Sequence, residues 1–183
     1  MTGQNPARVR VHGHFASHEQ NSSRGMPDWL DPKVTTLPRL LKEAGYATAH
    51  FGKWHLGNGP KAPPPTDYGF DRTKVVNANS DDWDQKDEYF RANSTEYIFD
   101  ETIKFIEDNP GKPFYINAWL LLPHATLNPT PEQLDKFKRF QPAGTKLIGT
   151  KQVYYSSIDA IDVQIGRLMK RLDELGVANH TVV

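Results

Sequence analysis

The sequence predicts an α/β fold, a mainly parallel sheet flanked by helices, in one domain over residues 1–183. Three observations carry that prediction. Helical and strand-like periods alternate along the chain in the order helix, strand, helix, strand, helix, strand. The run 113–122 is apolar enough to be covered on both faces, as central strands of parallel sheets are. A long helical stripe near the end stops at Gly176, just before the β-branched run Thr181-Val182-Val183.

Residues 1–33 carry Gly, Pro, Ser and Asn with no sustained period and read as loop or a peripheral turn. Leu37, Leu40, Leu41 and Ala44 then fall on one helical face. Thr35 or Thr36 can cap this helix, Pro38 suits its first turn and Gly45 its end. A short strand follows over 46–51. The stretch 56–92 is polar and proline-rich, with Pro63-Pro64-Pro65 and Asp81-Asp82-Trp83-Asp84. Loops of that length in a compact domain usually serve a function, and this one is expected to wall a substrate pocket.

A second helix is predicted over 94–108. Asn93 with Glu96 offers a cap, Phe99, Ile103 and Ile106 make the buried stripe, and Asn109-Pro110-Gly111 ends it. The third helix, 154–175, has the clearest period: Tyr154, Ile158, Ile161, Ile165, Leu168, Leu172 and Leu175. Alternating steps of four and three also fit a coiled coil. A strand beginning at Thr181 favours a helix packed on a sheet.

Composition excludes several classes. Lys plus Arg and Asp plus Glu are both 22, so the net charge of zero supports neither a nucleic acid partner nor a polybasic membrane contact. No apolar run approaches the roughly 20 residues that cross a bilayer. The absence of cysteine excludes disulfides and thiolate metal sites and leaves the redox compartment open.

The chemistry concentrates in the run Gly45-Tyr46-Ala47-Thr48-Ala49-His50-Phe51-Gly52-Lys53-Trp54-His55-Leu56-Gly57. In extended chain, residues two apart point to one side, so Lys53 and His55 can face a common site. A cation beside a titratable imidazole suits an oxyanion. In open α/β sheets, ligands bind outside the carboxyl ends of the strands. Lys53 and His55 lie at that end of the first predicted strand and His124 at that of the second. Taken singly, a Lys-x-His pair or a lone histidine after a strand is more often structural. Together, three groups able to be cationic converge on one rim.

The same run resembles the second signature of the sulfatase family, Gly-Tyr-x-Thr-x-x-x-Gly-Lys-x-His, at every defining position. Thr2-Gly3 followed by His12-Gly13 resembles the tail of the segment that carries the family's catalytic residue. Tyr68-Gly69-Phe70-Asp71 resembles the Gly-Phe-Asp turn after the second signature, and Pro123-His124 the Pro-His step after a central strand. The helix 154–175 and the run Asn179-His180-Thr181-Val182-Val183 resemble the elements that precede a metal-binding Asp-Asn pair. The resemblance covers nearly the whole chain, more loosely between Asn77 and Glu96.

The resemblance implies an alkaline-phosphatase/sulfatase-like fold truncated at both ends, that is, a partial sulfatase catalytic domain. It also implies hydrolysis of aryl or carbohydrate sulfate esters through a formylglycine nucleophile and a divalent metal, usually calcium. The Cys/Ser-x-Pro-x-Arg motif that yields formylglycine is absent here, and the family's metal ligands lie outside this chain. The isolated chain is therefore expected to be inactive. By the same resemblance, Lys53 stabilises and binds the sulfate oxygens, and His55 hydrogen-bonds the formylglycine hydroxyl and assists its proton transfer. His124 binds the ester oxygen and serves as acid to the leaving group. The implied partner is a small-molecule or carbohydrate sulfate ester, with a periplasmic or secreted location for the full-length protein; no oligomeric state is read. A related phosphodiesterase or phosphonate hydrolase, or a non-catalytic anion-binding remnant, stands as the alternative.

Other residues take plainer readings. By family position His12 supports the active-site segment, yet a surface loop is the better reading for both His12 and His14. Trp54 and Trp83 read as packing before sugar platforms. The carboxylates Asp81, Asp82, Asp84 and Asp87 lack the spacing of a calcium loop. Asp159 and Asp162 read as structural, and Ser80 has no secure alignment to a sulfate contact.

Overall fold

The structure, a computed structural model, describes residues 1–57, 61–76 and 87–183. Its centre is a three-stranded sheet in the order β2–β1–β3, every pairing parallel. The strands are β1 (Ala47–Gly52), β2 (Arg72–Val75) and β3 (Phe114–Trp119). Gly52 lies opposite both Val75 and Trp119, so all three strands end level at one rim. Each residue of β1 is buried, as a central strand requires.

Strand β2 corrects the expectation of uninterrupted loop over 56–92. Arg72-Thr73-Lys74-Val75 shows no apolar alternation, because an edge strand buries little; its residues are half-buried or exposed. Ser80, Asp81, Asp82, Trp83 and Asp84, with the pocket wall expected there, lie outside the described residues.

Helix α1 (His18–Ser23) interrupts the expected N-terminal loop and is closed by a Ser17/Gln20 capping box. Helix α2 (Leu37–Glu43) forms where predicted but turns the opposite way: Leu37 and Leu40 are 45% and 51% exposed. Polar contacts decide its orientation. The buried Thr36 hydroxyl, read as a cap, instead donates to the Tyr68 carbonyl, and the Arg39 guanidinium donates to the carbonyls of Pro32, Val34 and Asp67. Gly69, at φ +106°, lets the chain pass against α2, where a Cβ would stand 2.5 Å from the Arg39 nitrogen.

Helix α3 (Phe90–Glu107) starts before the predicted Asn93 cap. The Asn93 amide donates to the Asp87 carboxylate at 2.7 Å instead, while Ser94 and Thr95 are buried inside the helix. Ile98 and Phe105 of α3 cover one sheet face with Ala47, Ala49, Phe51, Val76 and Leu121. Helix α5 (Thr150–Glu174) packs on α3 through Leu168 and Leu172 against Phe99 and Ile106.

The rest of the α5 stripe does not face the sheet: Tyr154, Ile158, Ile165 and Leu175 are exposed. Its N-terminal half buries Gln152, Ser156 and Ser157 instead, with the Gln152 amide donating to the Leu134 carbonyl of α4 (Pro131–Asp135) at 3.0 Å. That bond, with the Ser156 hydroxyl donating to the Gln133 carbonyl at 3.0 Å, ties this end of α5 to α4. Asp159 is structural as read, paired with Lys136 at 2.8 Å. The expected strand from Thr181 is absent; the backbone there is extended but pairs with no described strand, and Val182 is fully exposed. The other sheet face carries a second core of Phe15, Met26, Leu30, Trp54, Tyr68 and Phe70. No described helix is long and apolar enough to cross a membrane.

Candidate active site

The site starts where β1 leaves the sheet. Gly52 has φ +104°, and a Cβ there would lie 2.0 Å from the Trp119 carbonyl oxygen. Glycine is required for that approach, which lets the Lys53 amide donate to Trp119 at 2.7 Å. The exits of β1 and β3 are thereby tied side by side. Lys53 is half-buried at the rim and His55 is exposed.

His55 is held from the N-terminal loop. Its Nε2 lies 3.1 Å from the Phe15 carbonyl oxygen. A carbonyl only accepts, so Nε2 carries the proton and the neutral ring keeps Nδ1 as an acceptor. Phe15 is anchored in the second core, 2% exposed. The next residue is clasped by the fully buried Asn21, whose side-chain oxygen accepts from Ala16 N at 2.8 Å and whose amide donates to Ala16 O at 3.0 Å. The His14 ring stands 6.5 Å from that of His55, centroid to centroid. His12 lies aside, with Nε2 at 2.9 Å from the Arg24 carbonyl.

His124 sits in the turn after β3. Its amide donates to Leu121 O at 3.0 Å, and Arg91 of α3 donates to its carbonyl at 3.3 Å. Its Nδ1 lies 2.6 Å from Ala125 O, so Nδ1 carries a proton and Nε2 is the nitrogen left for a ligand. Lys53 and His55 follow the end of β1 and His124 follows the end of β3, and no described hydrogen bond or ring contact joins His124 to Lys53 or His55. The sequence reading missed Arg91 and the Trp119 carbonyl, and no local pattern could have found them, since each acts across a long sequence separation.

Two polar residues of the signature run are buried with its apolar ones. Thr48 ties the run to the Gly-Phe-Asp turn: its hydroxyl lies 2.8 Å from Gly69 O and 3.0 Å from the Asp71 carboxylate, which also accepts from Thr48 N at 3.0 Å. Burial pushes the Asp71 carboxyl up, but hydrogen bonds from Lys42 and Thr48 and the Lys42 charge outweigh it and hold it below its ordinary value. His50 is fully buried among the edges of Trp54 and Trp119, at 4.9 and 5.1 Å, and the tilted Phe70. Neither ring nitrogen has a hydrogen-bond partner among the described residues. Burial lowers its pKa to about 4, offset in part by the nearby Gly52 and Lys53 backbone, so the ring is neutral near pH 7. Trp54 is core packing, 7% exposed.

A groove of about 430 Å³ between α3 and α5 holds none of these residues; the ion pairs Arg167–Asp100 and Arg171–Glu107 line it. Among the described residues no three His, Asp or Glu side chains converge to hold a metal. The carboxylate tied to the site's scaffold, Asp71, is engaged by Lys42 and Thr48. The described residues thus do not make a calcium site, and the sequence has no Cys/Ser-x-Pro-x-Arg motif to yield formylglycine.

A parallel sheet whose polar groups gather at the carboxyl rim defines the class of open α/β proteins that bind ligands there. The family model described as Sulfatase matches residues 1–183. The chain belongs to the sulfatase family, with the alkaline-phosphatase-like fold of its structural neighbours.

It is 32% identical over 142 residues, 72% of this chain and 24% of the relative, to an N-acetylglucosamine-6-O-sulfatase of Bacteroides thetaiotaomicron. It is 27% identical over 216 residues to the N-acetylgalactosamine-6-sulfatase of Homo sapiens, across all of this chain and 38% of that protein. Among solved structures, Ps i-CgsB in complex with k-i-k-neocarrahexaose superposes with TM-score 0.74 at 18% identity, covering 97% of this chain and 43% of the other. BT4656 in complex with D-glucosamine-2-N,6-O-disulfate does so with TM-score 0.58 at 19% identity, covering 97% and 53%. The chain spans between about a quarter and two-fifths of the length of these curated relatives.

Proposed function

We propose that this chain carries the cationic rim of an active site that hydrolyses sulfate esters, with carbohydrate sulfates as substrates and aryl sulfates as simpler ones. Sulfuric ester hydrolysis is the chemistry its family membership supports. One observation carries the assignment of residues. The bond from Lys53 N to Trp119 O brings the exits of β1 and β3 together, so the groups that follow each strand share an edge. The named sugars of two relatives, N-acetylglucosamine and N-acetylgalactosamine 6-sulfates, make hexosamine 6-sulfates the first compounds to try.

Each residue's role follows from its atoms. The Lys53 ammonium, half-buried at the rim, neutralises charge on sulfate oxygens, and a fixed cation is worth most where water is partly excluded. His55, with Nε2–H donated to Phe15, uses Nδ1 to take a proton from an O–H group. His124, with Nδ1–H donated to Ala125, gives a proton from Nε2 when charged. That proton would meet the ester oxygen as its bond to sulfur breaks and sulfur bonds to an attacking oxygen supplied from outside the described residues, so that the alcohol leaves neutral. Calcium and formylglycine, which the family resemblance implies, would have to come from residues outside those described.

The test is sulfate release from N-acetylglucosamine 6-sulfate by the protein that carries this chain. Lys53→Ala should lower kcat/KM at least a hundredfold, the usual cost of removing one oxyanion-stabilising group, with the circular dichroism spectrum kept. Hydrolysis of a phosphate diester to a monoester and an alcohol, with no sulfate released from the sulfated sugar, would overturn the proposal.

A further inference from the structure

We infer that a second, non-catalytic surface, built on residues 136–155, binds sulfated polysaccharide chains through cations set around a cluster of aromatic rings. Naming a sulfated sugar as its occupant rests on the sulfate-ester reading above; the surface itself does not. The chain carries no net charge, yet its cations are unevenly spread. Lys136, Lys138, Arg139, Lys146 and Lys151 fall in one stretch with no Asp or Glu between Asp135 and Asp159. Those two flanking carboxylates are each engaged by a lysine, Asp135 by Lys138 at 3.7 Å and Asp159 by Lys136 at 2.8 Å. Arg139, Lys146 and Lys151 are exposed and form no ion pair with a described residue.

The fold gathers this stretch. The Tyr155 ring of α5 meets those of Phe140 and Phe137 at 5.0 and 6.2 Å, and Tyr154 adjoins it at 6.0 Å. The Arg139 guanidinium lies over the Phe140 ring, 5.0 Å from its centroid. The loop after Phe140 returns to the same cluster: a Cβ at Gly149 would run into the Phe140 carbonyl oxygen, so glycine is needed for that closure. Inside the loop the Gln141 side chain donates to the Thr145 carbonyl at 2.9 Å, and Leu147 N to the Thr145 hydroxyl at 3.2 Å. Lys146 is carried on that loop, and Lys151 stands one helical turn before Tyr154 and Tyr155. Tyr154 is 48% exposed.

Charges and rings together choose the occupant. Ammonium and guanidinium groups hold sulfate oxygens by charge-assisted hydrogen bonds, and an exposed aromatic face takes the C–H side of a sugar ring. Arg139 stacked on Phe140 offers both in one place. The surface also lies on the rim side of the sheet. Helices α3 and α5 run the same way, since Arg167 pairs with Asp100 and Arg171 with Glu107. Ala160 and Val163 line one crevice with Ala92 and Glu96, so the residues of α5 before Ala160 stand beyond the start of α3. At that start Arg91 holds the His124 carbonyl. A polymer on this surface can thus present its sulfates towards the rim while the surface takes no part in the reaction.

The experiment measures binding of a fluorescently labelled chondroitin 6-sulfate decasaccharide to the protein that carries this chain, with Lys53→Ala in place so that the rim does not consume the probe. Adding Arg139→Ala, Lys146→Ala and Lys151→Ala together should weaken binding at least about tenfold at about 0.1 M salt. The slope of log K against log salt should become shallower by about 2, the worth of three contacts to a flexible polyanion. Tyr154→Ser should weaken binding about threefold and leave the slope unchanged. An unchanged affinity and slope in the triple variant overturns the inference, as does a parent protein that binds no probe at about 1 mM. So does a single-stranded oligonucleotide of equal charge that binds as tightly and depends equally on Tyr154, which would make this a nucleic-acid surface. Binding needs no hydrolysis. A protein that releases no sulfate from any ester yet shows the expected binding pattern sinks the sulfate-ester reading and leaves this surface standing.

Discussion

At the scale of single residues, the signature run divides its labour between the rim and the interior. Thr48 and His50 belong to the interior. Asp71 receives hydrogen bonds from Thr48 and Lys42 and so joins β1 to the Gly-Phe-Asp turn. Asp71→Asn should cost about 1 kcal/mol in urea unfolding, at the low end for a charged hydrogen bond because a carboxylate 39% exposed is screened by solvent. Since its folded pKa is depressed, that contribution is present above the ordinary carboxylate pKa and is lost as the pH falls through the lower folded value.

His50 behaves in the opposite sense. Its folded pKa of about 4 lies below the ordinary 6.5, so the unfolded chain binds the proton more readily. Stability is therefore full above 6.5, declines as the pH falls from there to about 4, and is flat below. The loss from this ring is of the order of 3 kcal/mol. His50→Phe should flatten that part of the profile in unfolding curves taken between pH 7 and pH 4; an unchanged slope would show the ring to be wetter than its burial implies. The run's spacing made Lys53 and His55 legible as neighbours of a site. It did not say that Thr48 and His50 look inward, because a motif records residue types and not the side of the sheet they face.

At the scale of elements, the apolar periods located helices well and oriented them poorly. Leu37 and Leu40 of α2 and Tyr154 and Ile158 of α5 read as buried and are exposed, because side-chain hydrogen bonds from Thr36, Arg39 and Gln152 hold these segments by polar residues. Strand β2 escaped notice because three polar residues and one valine at an edge leave no period-2 pattern. The β1 exit gives a sharp contrast between glycines. Gly52→Ala puts a Cβ 2.0 Å from the Trp119 carbonyl at a φ of +104°, and should cost at least about 3 kcal/mol or prevent folding. Gly166→Ala, inside α5 with nothing within 4 Å of the new methyl, should instead raise the melting temperature by relieving about 0.5–1 kcal/mol of helix penalty. Thermal melts of the two variants test whether close approach, rather than glycine content, governs this fold.

At the scale of the whole molecule, one sheet separates two cores, and the α3–α5 contact closes one side. Leu172 is 1% exposed in that contact, so Leu172→Ala should cost about 2–5 kcal/mol, while Ile158→Ser on the outer face of α5 should change stability by less than about 0.5 kcal/mol. Equal losses would mean that the outer stripe is covered in solution. The sequence by itself determined the α/β class, the family, and the rim candidates Lys53, His55 and His124, because hydrophobic periods and a dense motif are local and survive without coordinates. Only the tertiary structure decided that β2 joins the sheet, that α2 and the N-terminal half of α5 are held by polar residues, and that His14 stands beside His55. Each of these depends on hydrogen bonds or contacts between residues distant in the chain, and a pattern read along the chain carries no information about which distant groups will meet.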